Sequence, residues 1–305
     1  MQRYNTYRPY IKEKLGFRVN KLSVDMGFTC PNRDGNLAIG GCVYCNNDSF
    51  VPPYARARFS MDQQISNGMT YLRKRFKAEK FIIYFQSYTN TYDSVDKLEQ
   101  MYRDALAYDD VIGIAVGTRS DCVDEEKLSM FEEIAKEYYV CLEYGIESIY
   151  DKTLDFMNRG HNYQSVLDAI EISKGRGFEI GAHVIVGMPT ETKEEMLQMA
   201  DEVSSLGIDV FKVHNLHIVR NTPLARMYKE KPFELFGFEE YVSFVVDFLE
   251  RLSPEMIIER LFTDTPHDLL IAPDWGKSHL QILQAIEAEL EKRDTYQGRF
   301  YQNGS

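Results

Sequence analysis

Short apolar runs recur along this chain. Stretches with an apolar position every third or fourth residue separate them. The runs lie at 19–26, 81–85, 111–116, 139–146, 180–186, 210–218 and 256–262. Near-continuous runs this short read as strands buried on both faces. The stretches at 60–77, 94–107, 124–137, 149–157, 163–175, 192–206, 222–229, 238–252 and 277–293 read as helices. Thr192-Lys193-Glu194-Glu195 is a capping box, and Gly175 and Gly177 end the helix before them. Strands alternating with helices predict a parallel sheet with helical crossovers. With no low-complexity linker, the rhythm predicts one α/β domain, a full or partial barrel, over 19–262. Residues 1–18 are polar and aromatic with little period and read as an N-terminal extension. Residues 263–305 read as a C-terminal extension with one helix and a loose polar tail.

In such architectures ligands bind at the C-terminal ends of the strands. The chemistry-bearing residues collect there. The first strand runs into Cys30-Pro31-Asn32-Arg33-Asp34-Gly35-Asn36-Leu37-Ala38-Ile39-Gly40-Gly41-Cys42-Val43-Tyr44-Cys45. Later strands end in Gln86-Ser87-Tyr88-Thr89-Asn90-Thr91, in Gly117-Thr118-Arg119-Ser120-Asp121 and in Glu143-Tyr144-Gly145-Ile146-Glu147-Ser148. The last three end in Gly187-Met188-Pro189-Thr190-Glu191, in His214-Asn215-Leu216-His217 and near Arg260 and Asp264. Cys42 and Cys45 are two residues apart, so one turn aims both sulfurs at one centre. Cys30 lies upstream across a Gly- and Asn-rich loop that can curl back with a third thiol. No fourth cysteine matches this spacing. Structural zinc and electron-transfer clusters usually take four protein ligands. Three thiolates leave one iron of a cluster open, which points to catalysis. A zinc site completed by a distant histidine and a redox Cys-x-x-Cys pair are the alternatives.

Composition narrows the classes. The 305 residues carry a net charge of −12, which disfavours non-specific nucleic-acid binding by the whole surface. Two basic groups remain: Arg3, Arg8, Lys12, Lys14 and Arg18, and Arg56, Arg58, Arg73, Lys74, Arg75, Lys77 and Lys80. Tyr4, Tyr7, Tyr10, Tyr54 and Tyr71 are interleaved with them, a combination that can grip phosphates and stack bases. No run is long enough for a membrane span and no secretory leader opens the chain, so no membrane association and a cytoplasmic location are expected. Thiols stay reduced there and can bind metal.

The three-cysteine loop, Glu143 to Ser148 followed by Asn158-Arg159-Gly160-His161, and Val186 to Glu191 resemble the radical S-adenosylmethionine enzymes. The long gap between Cys30 and Cys42 is similar to the branch that holds the catalytic subunit of the elongator complex. Phe85 to Thr91, Gly117-Thr118-Arg119 and Leu216 to Leu224 resemble the YhcC/YtqA-type proteins within it. The resemblance implies a partial (β/α)6-type TIM barrel. It implies a 4Fe–4S cluster on Cys30, Cys42 and Cys45, with the open iron chelated by S-adenosyl-L-methionine. Reductive cleavage then releases a 5′-deoxyadenosyl radical. It also implies that Tyr44 packs near the adenine, that Gln86 and Ser87 lie by the methionine amino group, and that Arg159 suits the methionine carboxylate. Glu143 and Ser148 would meet the ribose hydroxyls, and the Gly187-x-Pro189 turn would let backbone approach the adenine.

Other residues carry weaker expectations. Cys141 reads as a small buried apolar residue. Cys122, beside Arg119 and Asp121, is a candidate for relaying or quenching a radical. His214 and His217 share one predicted strand at odd spacing, so at most one should face the interior. His161 reads as conformational. Trp275 and Lys277 fall at a candidate cavity mouth. The elongator branch acts on wobble uridine of tRNA, and no acetyltransferase domain fits in this length. The resemblance therefore implies remodelling of a carboxymethylaminomethyl or aminomethyl group at uridine C5, with a low-potential donor such as flavodoxin or ferredoxin. A radical enzyme on a protein or small molecule, and a non-enzymatic zinc or RNA-binding module, are the other readings.

Overall fold

The computed structural model describes residues 2–302. Its strands are β1 (Val19–Val24), β2 (Lys80–Phe85), β3 (Val111–Thr118), β4 (Tyr139–Glu147), β5 (Glu179–Val186), β6 (Val210–Asn215), β7 (Ile218–Val219), β8 (Ile257–Arg260) and β9 (Leu270–Ala272). The helices are α1 (Tyr7–Leu15), α2 (Met61–Phe76), α3 (Val95–Leu106), α4 (Glu125–Ala135), α5 (Asp151–Phe156) and α6 (Tyr163–Ser173). They continue with α7 (Lys193–Ser205), α8 (Pro223–Glu230), α9 (Phe238–Arg251) and α10 (His279–Lys292). Seven strands form one parallel sheet in the order β1-β2-β3-β4-β5-β6-β8, and β7 and β9 pair antiparallel beside it. This is the curled partial barrel of α/β class that the alternation predicts.

The main core lies between the sheet and its outer helices, where Phe81, Leu142, Val184 and Phe211 meet Phe131, Val203 and Phe248. All nine residues of β4 are buried, as a central strand covered on both faces requires. Helices α2, α7 and α10 each start with a capping box, at Ser60–Gln63, Thr192–Glu195 and Ser278–Gln281. Each box satisfies two orphan backbone donors where the chain leaves the rim.

The N-terminal segment, read from sequence as an extension with little period, packs on the barrel. It forms α1, which stops the base of the half-barrel. Ile11 packs there on Ile82, Tyr84, Ala115, Tyr139 and Cys141, on the sheet face away from the outer helices. Residues before α1 line the free edge of β8, with Thr6 bridged in parallel to Ile258 and the Ile258 amide donating to Asn5 O at 2.7 Å. The C-terminal tail is also held. Thr295 is fully buried on Glu250, and Gln297 accepts from the Asn5 amide at 2.9 Å and donates to Met256 O at 2.8 Å. Positions 303–305 of the expected loose tail lie outside the described residues. The predicted strand at 210–218 ends at Asn215, whose side chain accepts from the Thr263 amide at 2.8 Å, and the chain turns before β7. Trp275 packs on Tyr241 and Phe238 and donates to Phe236 O at 3.0 Å, so it serves the core and not a cavity mouth.

Candidate active site

A cavity of about 220 Å³ opens at the C-terminal ends of the strands. Cys30, Cys42 and Cys45 all line it, whereas Cys122 and Cys141 do not. Backbone and side-chain hydrogen bonds together fold the cysteine loop. The Cys45 amide donates to Cys42 O at 3.0 Å, closing the turn between the two thiols. The Arg33 guanidinium donates to Cys45 O at 3.1 Å and lies over the Tyr88 ring. It crosses Gly41 so closely that a Cβ there would stand 2.7 Å from Arg33 Nε, and Gly41 has a φ of +83°. Asn158 then clasps the loop, donating to Gly41 O at 3.0 Å, and the Val43 amide donates to Met157 O at 2.9 Å.

The sulfurs receive donors. Asn32 Nδ2 points at Cys42 Sγ at 3.6 Å, Asn47 Nδ2 at Cys45 Sγ at 3.7 Å and Arg159 Nη1 at Cys42 Sγ at 3.8 Å. Burial pushes the Cys45 thiol up to about 11, and the Cys42 sulfur pushes the same way, with a smaller push from Cys30. A bound cation reverses that balance, because a coordinating thiol is deprotonated. Among the described residues no three His, Cys, Asp or Glu side chains converge as ligands of one ion. A tetrahedral zinc with bonds of about 2.3 Å holds its sulfurs within about 4 Å of each other. Cysteines of an iron–sulfur cube each take a different iron. The three thiols, with N–H donors at Cys42 and Cys45 and without a fourth cysteine on the cavity wall, fit the second arrangement.

From Cys42 a polar arc runs along the wall. Arg159, 6% exposed, donates to Gly145 O at 2.7 Å and lies 3.5 Å from Glu147. Glu147 lies 3.4 Å from His183 Nε2, and the His183 ring stacks on His214 with centroids 5.3 Å apart. Gly145 makes this possible: a Cβ there would sit 2.7 Å from both Arg159 Nη2 and Glu147 Oε1. Burial alone would raise the Glu147 carboxyl; His183 and Arg159 override it and hold it well below the usual carboxylate range. Burial, reinforced by the neighbouring His183 and Arg260, pushes the His214 pKa well below its ordinary range. Three atoms on this wall lack a partner: Arg159 Nε, Glu147 Oε2 and His214 Nε2.

The expected cofactor residues divide. Tyr44, Gln86 and Arg159 line the cavity. Ser87 is buried beside it with an unpartnered Oγ. Glu143 does not reach it. Its carboxylate is tied to Lys21 at 2.5 Å, to Lys212 at 2.6 Å and to the Tyr84 hydroxyl at 2.7 Å, beneath the cavity floor. Ser148 turns outward and donates to Glu191. The Gly187 amide faces Met196 Sδ at 3.0 Å, and Pro189 is exposed outside the cavity. Cys122 is buried with its thiol pushed up to about 12 by burial and by Asp121. His214 and His217 both line the cavity, against the expectation from strand alternation, because the strand ends between them. His217 bonds Thr265 at 2.9 Å, and burial lowers it to about 4. His161 stands outside this wall, its Nδ1 3.1 Å from Asn162 O. Glu147 and His183 are the site residues to which sequence reasoning gave no role. A histidine inside an apolar parallel strand was the available signal for the second.

Comparison with known proteins agrees with this geometry. Residues 28–203 match the model of the radical SAM superfamily, and residues 208–292 match that of the radical SAM C-terminal domain. The chain is 34% identical over 304 residues to the uncharacterized protein YtqA of Bacillus subtilis strain 168, covering 99% of this chain and 94% of that protein. It is 21% identical over 164 residues to the tRNA uridine(34) acetyltransferase of Methanocaldococcus jannaschii, covering 52% of this chain and 30% of that one. Among solved structures, the archaeal Elp3 of Methanocaldococcus infernus with an N-terminal deletion superposes with a TM-score of 0.69 at 18% identity, over 92% of this chain and 64% of that chain. The chain thus belongs to the radical S-adenosylmethionine superfamily, in the branch that includes YtqA and the Elp3-like proteins.

Proposed function

We propose that Cys30, Cys42 and Cys45 hold a 4Fe–4S cluster that cleaves S-adenosyl-L-methionine, and that the reaction remodels a C5 substituent of wobble uridine in tRNA. The observation that carries the first part is the set of three thiols on one cavity wall, two of them met by N–H donors, with no fourth cysteine beside them. When bound, the cluster supplies the electron that breaks the sulfonium and yields a 5′-deoxyadenosyl radical. The chain binds and shields. Arg159 has its Nε free for the methionine carboxylate, and Gln86 offers its amide at the end of β2. Glu147, not Glu143, has the unpartnered oxygen that a ribose hydroxyl needs. Tyr44 closes the wall between two cysteines. No described helix is long and apolar enough to cross a membrane.

Support for tRNA comes from the likeness to a protein named for uridine 34. The exposed Tyr71 ring, 5.7 Å from the partly buried Tyr54 ring, offers a stacking surface. Several basic side chains are already paired, Arg3 with Asp294, Lys14 with Glu179, and Arg73 and Lys80 with Asp110. That pairing favours the second reading, a protein or small-molecule substrate. Anaerobic reconstitution with iron and sulfide counted, followed by assay of 5′-deoxyadenosine with reduced flavodoxin as donor, tests the cofactor reading. The triple Cys30, Cys42 and Cys45 to Ala variant is expected to lose both iron and product, and unchanged product refutes it. Mass spectrometry of tRNA nucleosides from cells lacking the protein tests the substrate. An unchanged profile transfers the reading to a protein or small molecule.

A further inference from the structure

The cavity that would generate a radical carries an oxidisable side chain in its own wall. Tyr84, near the end of β2, lines the cavity and is 9% exposed. A phenol O–H bond is weaker than the C–H bond of a methyl group, so a primary alkyl radical takes hydrogen readily from a free phenol. Tyr84 Oη is not free. It donates to Glu143 Oε2 at 2.7 Å and accepts from Lys212 Nζ at 3.3 Å, and both bonds are buried. The ammonium groups of Lys21 and Lys212 stand 5.1 Å and 4.8 Å from the centroid of the same ring. Glu143 is itself 2% exposed and does not reach the cavity, so no step of cofactor binding uses its charge.

We infer that Glu143 positions the Tyr84 hydroxyl so that its hydrogen is withheld from the 5′-deoxyadenosyl radical, which is thereby kept for the substrate. The averted step is a hydrogen-atom transfer. The Tyr84 O–H bond would break, a C–H bond would form at the 5′ carbon, and the unpaired electron would stay on the tyrosine. A hydrogen engaged by a carboxylate is not open to a second acceptor until that bond breaks, and bonds to ionised acceptors are the strong ones. The other route to a tyrosyl radical takes an electron from the ring and passes the proton to Glu143. Two features oppose it. The two ammonium groups over the ring disfavour positive charge developing on it. Against the push of burial, Lys21 and Lys212 hold the Glu143 carboxyl well below the usual carboxylate range, which makes it a poor proton acceptor. Glu143 thus acts through Tyr84, as a positioning residue that excludes a competing reaction. The inference rests on the proposed cofactor cleavage and on no assignment of the substrate.

Cofactor cleavage without substrate, run in heavy water with dithionite as reductant, tests this on the reconstituted protein. The exchangeable Tyr84 hydroxyl then carries deuterium. Mass spectrometry is expected to find the same deuterium content in 5′-deoxyadenosine from wild type and from Tyr84→Phe. Glu143→Gln, measured on its folded fraction, should shift the product up by one mass unit and give a tyrosyl signal in freeze-quenched electron paramagnetic resonance. Combining Glu143→Gln with Tyr84→Phe should lose both the shift and the signal. A wild-type product whose label disappears in Tyr84→Phe would make Tyr84 a hydrogen donor and overturn the inference. So would a Glu143→Gln protein that loses stability but shows neither shift nor signal, since Glu143 would then be structural only. Where Glu143→Gln yields no folded protein, the comparison of wild type with Tyr84→Phe decides alone. If no protein forms 5′-deoxyadenosine, the cofactor reading fails and the inference falls with it; a label traced to Tyr84 removes the inference and leaves that reading standing.

Discussion

Lys21 on β1 and Glu259 on β8 meet at 2.5 Å, although these are the two outermost strands of the sheet. The contact joins the half-barrel's free edges beneath the cavity. Glu143 and Lys212 complete a buried quartet of two positive and two negative charges, with Tyr84 donating into it. Burial opposes charge on Glu143, and Lys21 and Lys212 override it, so the carboxyl titrates well below the usual range.

Replacing Glu143 by Gln leaves two ammonium groups short of a counter-charge. Breaking such a buried set costs roughly 3 kcal/mol or more. The sign with pH follows from linkage. The wild-type advantage is complete above the unfolded carboxyl value near 4.3 and shrinks as pH falls from there toward the lower folded value. Urea denaturation from pH 7 to pH 3 should show the two proteins differing most at pH 7. A constant difference over that range would contradict the assignment.

Ile11 is 1% exposed against the sheet interior. Ile11→Ala should therefore cost about 2–5 kcal/mol, as for other large-to-small core changes, while leaving the iron content of the folded fraction intact. A loose N-terminal arm would give a change within about 0.5 kcal/mol in the same denaturation experiment.

Asn47 directs an N–H at Cys45 Sγ. Hydrogen bonds to cluster sulfurs favour the reduced state. Asn47→Ala should lower the midpoint potential, by roughly tens of millivolts, in a redox titration followed by electron paramagnetic resonance. An unchanged or higher potential would show that this amide does not serve the sulfur.

Cys122 sits off the cavity wall with its thiol held protonated. Cys122→Ala should leave 5′-deoxyadenosine formation within about twofold of wild type, since no low-pKa thiolate is removed. A loss as deep as that of a cluster-cysteine variant would assign the sulfur a part in the chemistry.

The barrel and its cysteine loop were legible because both are local. Parallel strands covered on two faces write themselves as apolar runs, and the thiol spacing needs one turn. The parts that were not legible depend on contacts distant in sequence. Helix α1 buries only Ile11 completely, so its period is weak, and its place is set by strands up to 130 residues away. That Glu147 and not Glu143 lines the cavity has another cause. Pairing of β4 with β5 slips between Gly145 and Glu147, and Glu147 has a φ of 64°. A bulge of this kind re-aims a side chain, and strand alternation carries no mark of it. His214 and His217 came together for a similar reason, an early strand end that apolar residues continue past.

Fastening the outer strands at the base has a mechanical outcome. With α1 seated as a stopper and Lys21 latched to Glu259, any widening must come from the loops at the opposite mouth. Guests of different girth are then accommodated at the rim that carries the thiols, with the base fastened behind them.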